Sequence, residues 1–134
     1  MALQNCIGII DGTVIGIARP KGHKRQRVVY NGHKRKHALK YQAVTTPDGL
    51  ILHAAGPIEG RRHDWTLYVR SGLDEVLPGL LDFDGLRYCF DGDSEYNRRW
   101  FMEVPFQGSI LTAAQSSFNG AVSAVRITVE WIFK

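Results

Sequence analysis

The residues whose positions indicate chemistry are carboxylates that interrupt or follow apolar stretches. Asp11 lies inside the β-prone run 6–17, where an ionised side chain is costly to bury unless a cation or hydrogen bonds compensate it. Asp91 and Asp93 follow a second short apolar run, and Glu130 lies in a segment with helical periodicity. Because divalent cations such as Mg²⁺ prefer oxygen ligands, carboxylates from these three distant segments could converge on a metal ion.

Each of these acids also has an alternative interpretation that requires no metal. The pair Asp11-Gly12 between two apolar runs is a strong β-hairpin signal, because Gly readily supplies the positive φ of a tight turn. Asp93 could be a turn or cap residue at the end of a strand. Glu130 could be an i, i+4 partner of Arg126 on a helix. These alternatives remain open from the residues alone.

A basic segment lies between Gly12 and Pro47, which contains no acidic residue and nine of the 17 Lys and Arg residues of the chain. The rest of the chain is net acidic, although the whole has a formal charge of +4. A basic block beside an acidic remainder suits a polyanion held next to metal-binding carboxylates, whereas the alternative is a solvated loop that only aids solubility. The candidate residues for contacting such a polyanion are Lys24, Arg25, Arg27, Lys34, Arg35 and Lys36.

Length and hydropathy indicate one globular domain over 1–134, long enough to bury a substantial core. No apolar run reaches the roughly 18 residues of a membrane span, and no signal peptide is recognisable at the N-terminus. We therefore expect an intracellular protein without membrane partners. Cys6 and Cys89 lie in apolar runs, which predicts neighbouring free thiols in the core.

Periodicity and turn residues predict an α/β order of elements that positions the acids. We expect a strand over 6–17, a basic loop within 19–40, and a hairpin of strands 38–46 and 50–55 around Pro47-Asp48-Gly49. A helix over 65–71 capped by Asp64 and a helical turn over 73–77 come next. They are followed by a strand over 86–90, a helical turn over 96–102 and a short strand over 110–112. The last element is a C-terminal helix capped by Ser117 or Asn119.

Several short motifs in this order resemble the DDE endonuclease domain of PIF/Harbinger-type transposases. Each motif is weak alone, but their order and spacing are together fairly specific. The motifs are Ile10-Asp11-Gly12-Thr13, Pro47-Asp48-Gly49, Gly60-Arg61-Arg62-His63-Asp64, Gly92-Asp93-Ser94-Glu95-Tyr96, and Phe118-Asn119 through Ser123, Arg126, Val129-Glu130 and Lys134.

The resemblance implies an RNase H-like mixed sheet with flanking helices, and a nuclease that cleaves DNA with two Mg²⁺ or Mn²⁺ ions. It assigns Asp11, Asp93 and Glu130 to the acidic triad, with Asp11 bridging both ions and each of the other two holding one. Asp64, Asp91 and Arg126 are interpreted as supporting residues, with Asp64 as a helix cap or as a ligand in place of Asp93.

The chain departs from the family pattern at Glu95, where the family usually has Gly. It also begins at the first strand and ends soon after Glu130, so we expect a catalytic-domain fragment, truncated at both ends, or a relic of a transposase. A relic would bind DNA or protein without catalysis. Two further expectations are a protein partner that supplies sequence-specific DNA binding and a homo-oligomer, in the nucleus if the source is eukaryotic.

Overall fold

The computed structural model describes residues 5–130, apart from the side chains at positions 125 and 128–130. The strands of its central mixed sheet are β1 (Cys6–Gly16), β2 (Tyr30–Asn31), β3 (Lys36–Thr45), β4 (Ile51–Glu59), β7 (Cys89–Asp91) and β8 (Met102–Glu103). Their order is β2-β3-β1-β7-β8, with β4 paired to β3. The helices are α1 (His23–Val29), α2 (Asp64–Arg70), α3 (Leu73–Leu81) and α4 (Ala113–Glu130). The mixed α/β class is confirmed and is compatible with an RNase H-like fold.

Strand β1 passes straight through Asp11-Gly12, so the hairpin interpretation of this pair was wrong. Asp11 pairs with Ala43 and Gly12 with Gln42 in an antiparallel ladder with β3. On its other edge β1 pairs in parallel with β7, where Cys6 is opposite Cys89. The two thiols are free and half-buried, and they are neighbours as expected.

The main core lies on one face of the sheet, against α2 and α3. Ile10 and Val44 are opposite each other in the β1–β3 ladder, and both belong to a buried cluster with Tyr68 of α2 and Leu77 of α3. Successive strand residues point to opposite faces, so Asp11 and Ala43 face the other side of the sheet. Helix α4 lies on that second side, where its Arg126 contacts Asp91 of β7.

The basic segment is more structured than the predicted loop, because it contains α1, β2 and the start of β3. Its turn after β2 is held by the buried side chain of Asn31. The Asn31 Nδ2 donates to the Gly60 carbonyl at 2.9 Å, and its Oδ1 accepts from the Lys34 backbone N–H at 2.8 Å.

The predicted strand over 86–90 divides into two parts. Leu86–Arg87 forms β6, which pairs with β5 (Asp82–Phe83) in a separate hairpin, whereas β7 enters the main sheet. Asp84 and Gly85 connect β5 and β6 with φ of 53° and 73°, values that favour a tight Asp-Gly turn. The local turn therefore withdraws the first residues of the predicted strand from the sheet.

The C-terminal helix begins earlier than predicted, and 110–112 is not a strand. Thr112 Oγ1 accepts from the Gln115 N–H at 3.2 Å, and Gln115 Oε1 accepts from the Thr112 N–H at 3.0 Å, which is a capping box. Ser117 and Asn119, the two predicted cap residues, both lie inside α4, where the Asn119 side chain bonds both backbone groups of Phe106. The predicted helical turn at 96–102 is replaced by turns that lead into β8.

The remaining boundaries differ less from the predictions. The 47–49 turn is confirmed, β4 continues to Glu59, and α3 extends the predicted turn to Leu81. Across residues 5–130, no helix combines the length and the apolar character needed to cross a membrane.

Candidate metal centre

The candidate site lies where β1 extends beyond its parallel neighbour. The β1–β7 pairing ends at Ile9 and Asp91, so within residues 5–130 no strand covers that edge of β1 from Asp11 onward. Asp93 lies two residues after the end of β7. The carboxyl end of a parallel strand opens into a crevice of this kind, which is where ligands of α/β sheets commonly bind.

Three carboxylates meet in this crevice. Asp11, Asp64 and Asp93 each offer one carboxylate oxygen, and these atoms all lie within 4.8 Å of one another. The structure thus brings Asp11 and Asp93 together, and Asp64 lies beside both instead of replacing Asp93. Their role as metal ligands stays a prediction. The side chain of Glu130 is outside the described residues, so its place in the triad stays a prediction.

The side chain of Asp64 does not cap a helix and instead points into the cluster. Helix α2 begins at Asp64 itself, its N-cap residue is His63, and no side chain caps it. The predicted capping role was therefore wrong. Instead, Asp64 Oδ1 accepts a hydrogen bond from Lys40 Nζ at 2.6 Å.

Gly12 provides the space in which Asp64 approaches Asp11. A Cβ on Gly12 would lie 2.5 Å from Asp64 Oδ1 and 2.7 Å from Oδ2, closer than Cβ atoms approach other heavy atoms. The carboxylate of Asp64 therefore occupies the space that any larger residue at position 12 would fill.

The crowding shifts the pKa values of the acids. Burial raises the pKa of Asp11 to about 6, Arg126 opposes this shift, and Asp93 and Asp64 add to it. Burial also raises the pKa of Asp93, and the negative charge of Asp64 raises it further. Since desolvation and like charges both disfavour ionised carboxylates, a cation at this site would relieve the repulsion.

Asp91 and Arg126, both predicted as supporting residues, form an ion pair beside the cluster. Arg126 Nε lies 3.1 Å from Asp91 Oδ2, with 15% and 3% of the side chains exposed, but the groups are not aligned as a hydrogen bond. Burial raises the pKa of Asp91 to about 6 despite the opposing charge of Arg126. The pair attaches α4, the helix that carries Glu130, to the strand that precedes Asp93.

The cluster forms the floor of a cleft of about 680 Å³. Lys34 and Lys36 line it, and Arg35 lies between them, exposed, on the turn that Asn31 holds. The other candidate DNA-binding residues, Lys24, Arg25 and Arg27, are exposed on α1 and do not line this cleft. Glu95 does line the cleft, and its Oε2 lies 3.5 Å from the Asp64 backbone nitrogen.

The donor set fits a hard divalent cation. All three groups of the cluster are carboxylates, and Mg²⁺ and Mn²⁺ prefer oxygen over nitrogen or sulfur ligands. The cleft offers sites for cations and for anionic ligands, because its lining includes the three carboxylates and also Lys34 and Lys36. These two exposed lysines and Arg35 form the basic rim of the cleft.

Comparison with known proteins agrees with this architecture. Residues 10–134 match the family of DDE superfamily endonucleases, and the chain belongs to this family. The chain is 28% identical over 137 residues to the probable transposase for insertion sequence element IS702 of Microchaete diplosiphon. That alignment covers 98% of the chain and 46% of the relative, so the chain spans less than half of that protein. No solved structure matches the chain significantly.

The role of Gly12 generates a testable prediction. We expect Gly12→Ala to weaken Mn²⁺ binding by about tenfold or more, because the added methyl group displaces the Asp64 carboxylate from the other two. Calorimetric titration of Mn²⁺ measures the effect. Gly16→Ala on the same strand is the matched control, since its Cβ would meet only the Lys36 side chain at ordinary contact distance. Unchanged Mn²⁺ affinity in Gly12→Ala would show that the position of Asp64 is irrelevant.

Proposed function

We propose that this chain is the catalytic domain of a metal-dependent DNA endonuclease of the transposase type, which cleaves phosphodiester bonds by a two-metal mechanism. The observation that carries the proposal is the convergence of three carboxylate oxygens within 4.8 Å in a family of endonucleases. The PIF/Harbinger subtype is part of the proposal and rests on the motifs at Gly60 to Asp64 and Gly92 to Tyr96.

The proposed ligands are Asp11 and Asp93, with Asp64 as the third carboxylate of the cluster. Glu130 is included through the family resemblance, as the residue that completes the triad. These carboxylates would hold Mg²⁺ or Mn²⁺, which would activate the attacking oxygen and stabilise the leaving oxygen of the phosphodiester. Through the family resemblance, Asp11 is proposed as the ligand shared by both ions. Its position on β1 and its distance of at most 4.8 Å from an oxygen of Asp64 and of Asp93 support this role.

The basic residues are proposed to hold the DNA backbone over the acidic floor. Lys34 and Lys36 line the cleft, and the buried Asn31 fixes their turn through its bonds to Gly60 and Lys34. Such contacts recognise phosphates without reading sequence, so sequence-specific binding would come from a separate protein partner. A homo-oligomer and an intracellular location, nuclear in a eukaryotic source, belong to the same proposal.

A second candidate function is a relic that binds DNA or protein without cleaving DNA. It is favoured by the ion pair between Lys40 and Asp64, in which the protein neutralises one of the carboxylates with its own cation. Such a relic would retain the basic rim of the cleft and would not require a metal.

Nicking of a supercoiled plasmid separates these candidates. With Mg²⁺ or Mn²⁺ we expect the wild-type chain to nick the plasmid and Asp93→Asn to nick it at least about a hundredfold more slowly. Loss of a metal ligand should lower the rate more than loss of a residue that only supports a ligand. Asp84→Asn in the β5–β6 turn is the control, since Asn tolerates the same left-handed backbone. Glu130→Gln tests whether Glu130 is the third residue of the acidic triad. DNA binding without nicking by the wild type would favour the relic.

The role of the basic turn predicts a salt dependence. Replacing Lys34, Arg35 and Lys36 together by Met should reduce the slope of log K against log salt by about 0.9 for each phosphate that the variant no longer neutralises. The measurement is fluorescence anisotropy with a duplex of arbitrary sequence. Arg87→Met, on the β5–β6 hairpin, should leave the slope unchanged. A triple variant with wild-type affinity and slope would remove this turn from the DNA-binding surface.

A further inference from the structure

Lys40 is a buried cation inside the acidic site, and the proposed two-metal chemistry gives it no role. Its Nζ lies 2.6 Å from Asp64 Oδ1, with 8% of the Lys40 side chain and 10% of the Asp64 side chain exposed. A buried charge needs a partner, and removing one member of such a pair leaves the other uncompensated. The protein therefore compensates the buried charge of Asp64 with a cation of its own, Lys40.

The register of the sheet places Lys40 beside the cluster. Lys40 is opposite Val14 in the β1–β3 ladder, on the face to which Gly12 also belongs. The carboxylate of Asp64 lies against Gly12, contacts Lys40, and has an oxygen within 4.8 Å of an oxygen of each of the other two acids. Asp64 is thus within reach of two kinds of cation, the ammonium group of Lys40 and an ion held by Asp11 and Asp93.

Lys40 also reaches the cleft in which DNA is proposed to bind. It lines that cleft together with Lys34 and Lys36, although little of its side chain is exposed. A Lys side chain is a compact charge on a flexible stem, so its ammonium group can exchange one anion for another by rotation about that stem. A phosphate at the cleft floor would offer the second anion.

We propose that Lys40 couples metal binding to DNA binding: its ammonium group neutralises Asp64 in the free protein and transfers to a phosphate of bound DNA when a divalent cation takes Asp64. This inference rests on the proposed function, because it requires a metal at the cluster. Two cations on one carboxylate repel each other, so the ammonium group of Lys40 weakens metal binding in the free protein. DNA removes that conflict, and by linkage each ligand then strengthens binding of the other by the same factor.

The test measures Mn²⁺ affinity by calorimetry, with and without a 20-base-pair phosphorothioate duplex that resists cleavage. For the wild type we expect the duplex to raise Mn²⁺ affinity on the order of tenfold, within the usual range of coupling between two sites. Without DNA, Lys40→Met should bind Mn²⁺ on the order of tenfold more tightly than the wild type, because the competing cation is gone. In this variant the duplex should then raise Mn²⁺ affinity little further.

Two further variants control for charge and for folding. Lys21→Met removes an exposed positive charge from a residue that does not line the cleft, so we expect less than about a threefold change in Mn²⁺ affinity without DNA. If thermal melting shows that Lys40→Met does not fold, Asp64→Asn replaces it. Asp64→Asn removes the carboxylate that the two cations share, and the enhancement by DNA should disappear.

The outcomes separate this inference from the proposed function. A folded Lys40→Met variant that binds Mn²⁺ no more tightly than the wild type, or that retains the full enhancement by DNA, would show that Lys40 only supports the structure. Enhancement that persists in Asp64→Asn would also overturn the coupling. Absence of Mn²⁺ binding by the wild type, with or without DNA, would overturn the proposed function and this inference together.

Discussion

The repulsion among three carboxylates held within 4.8 Å of one another is the constraint on which this site depends. Burial makes the repulsion stronger, as the raised pKa values of Asp11 and Asp93 indicate. The chain supplies two compensating cations, because Lys40 contacts Asp64 and the charge of Arg126 opposes the shift at Asp11. Such an arrangement costs stability, which is typical of residues selected for function and not for folding.

The cluster forms where the long strand β1 continues beyond its short parallel neighbour β7. β1 runs from Cys6 to Gly16, whereas its parallel neighbour β7 ends at Asp91, so Asp11 lies on a strand edge that no described strand covers. Helix α2 presents Asp64 from one face of the sheet through the space above Gly12. Helix α4 is attached on the other face by its ion pair with Asp91. The site therefore joins both layers of helices to the central strand.

Much of this arrangement was predictable from local patterns, and the rest depends on tertiary contacts. The apolar run around Asp11 indicated a strand, but only the pairing with β3 distinguishes it from a hairpin. The Thr112 to Gln115 spacing is a recognisable capping box that would have given the start of α4. The contact of Lys40 with Asp64 joins residues far apart in the sequence, and no local pattern separates this lysine from the exposed ones of the basic segment.

The central claim, that the carboxylate cluster holds a divalent cation, is tested most directly by anomalous X-ray diffraction from crystals grown with Mn²⁺. The account predicts an anomalous peak at about 2.0–2.3 Å from carboxylate oxygens of both Asp11 and Asp93, with Asp64 in contact with the same ion or its water. A well-ordered site at saturating Mn²⁺ with no such peak, and with Lys40 still bonded to Asp64, would contradict it.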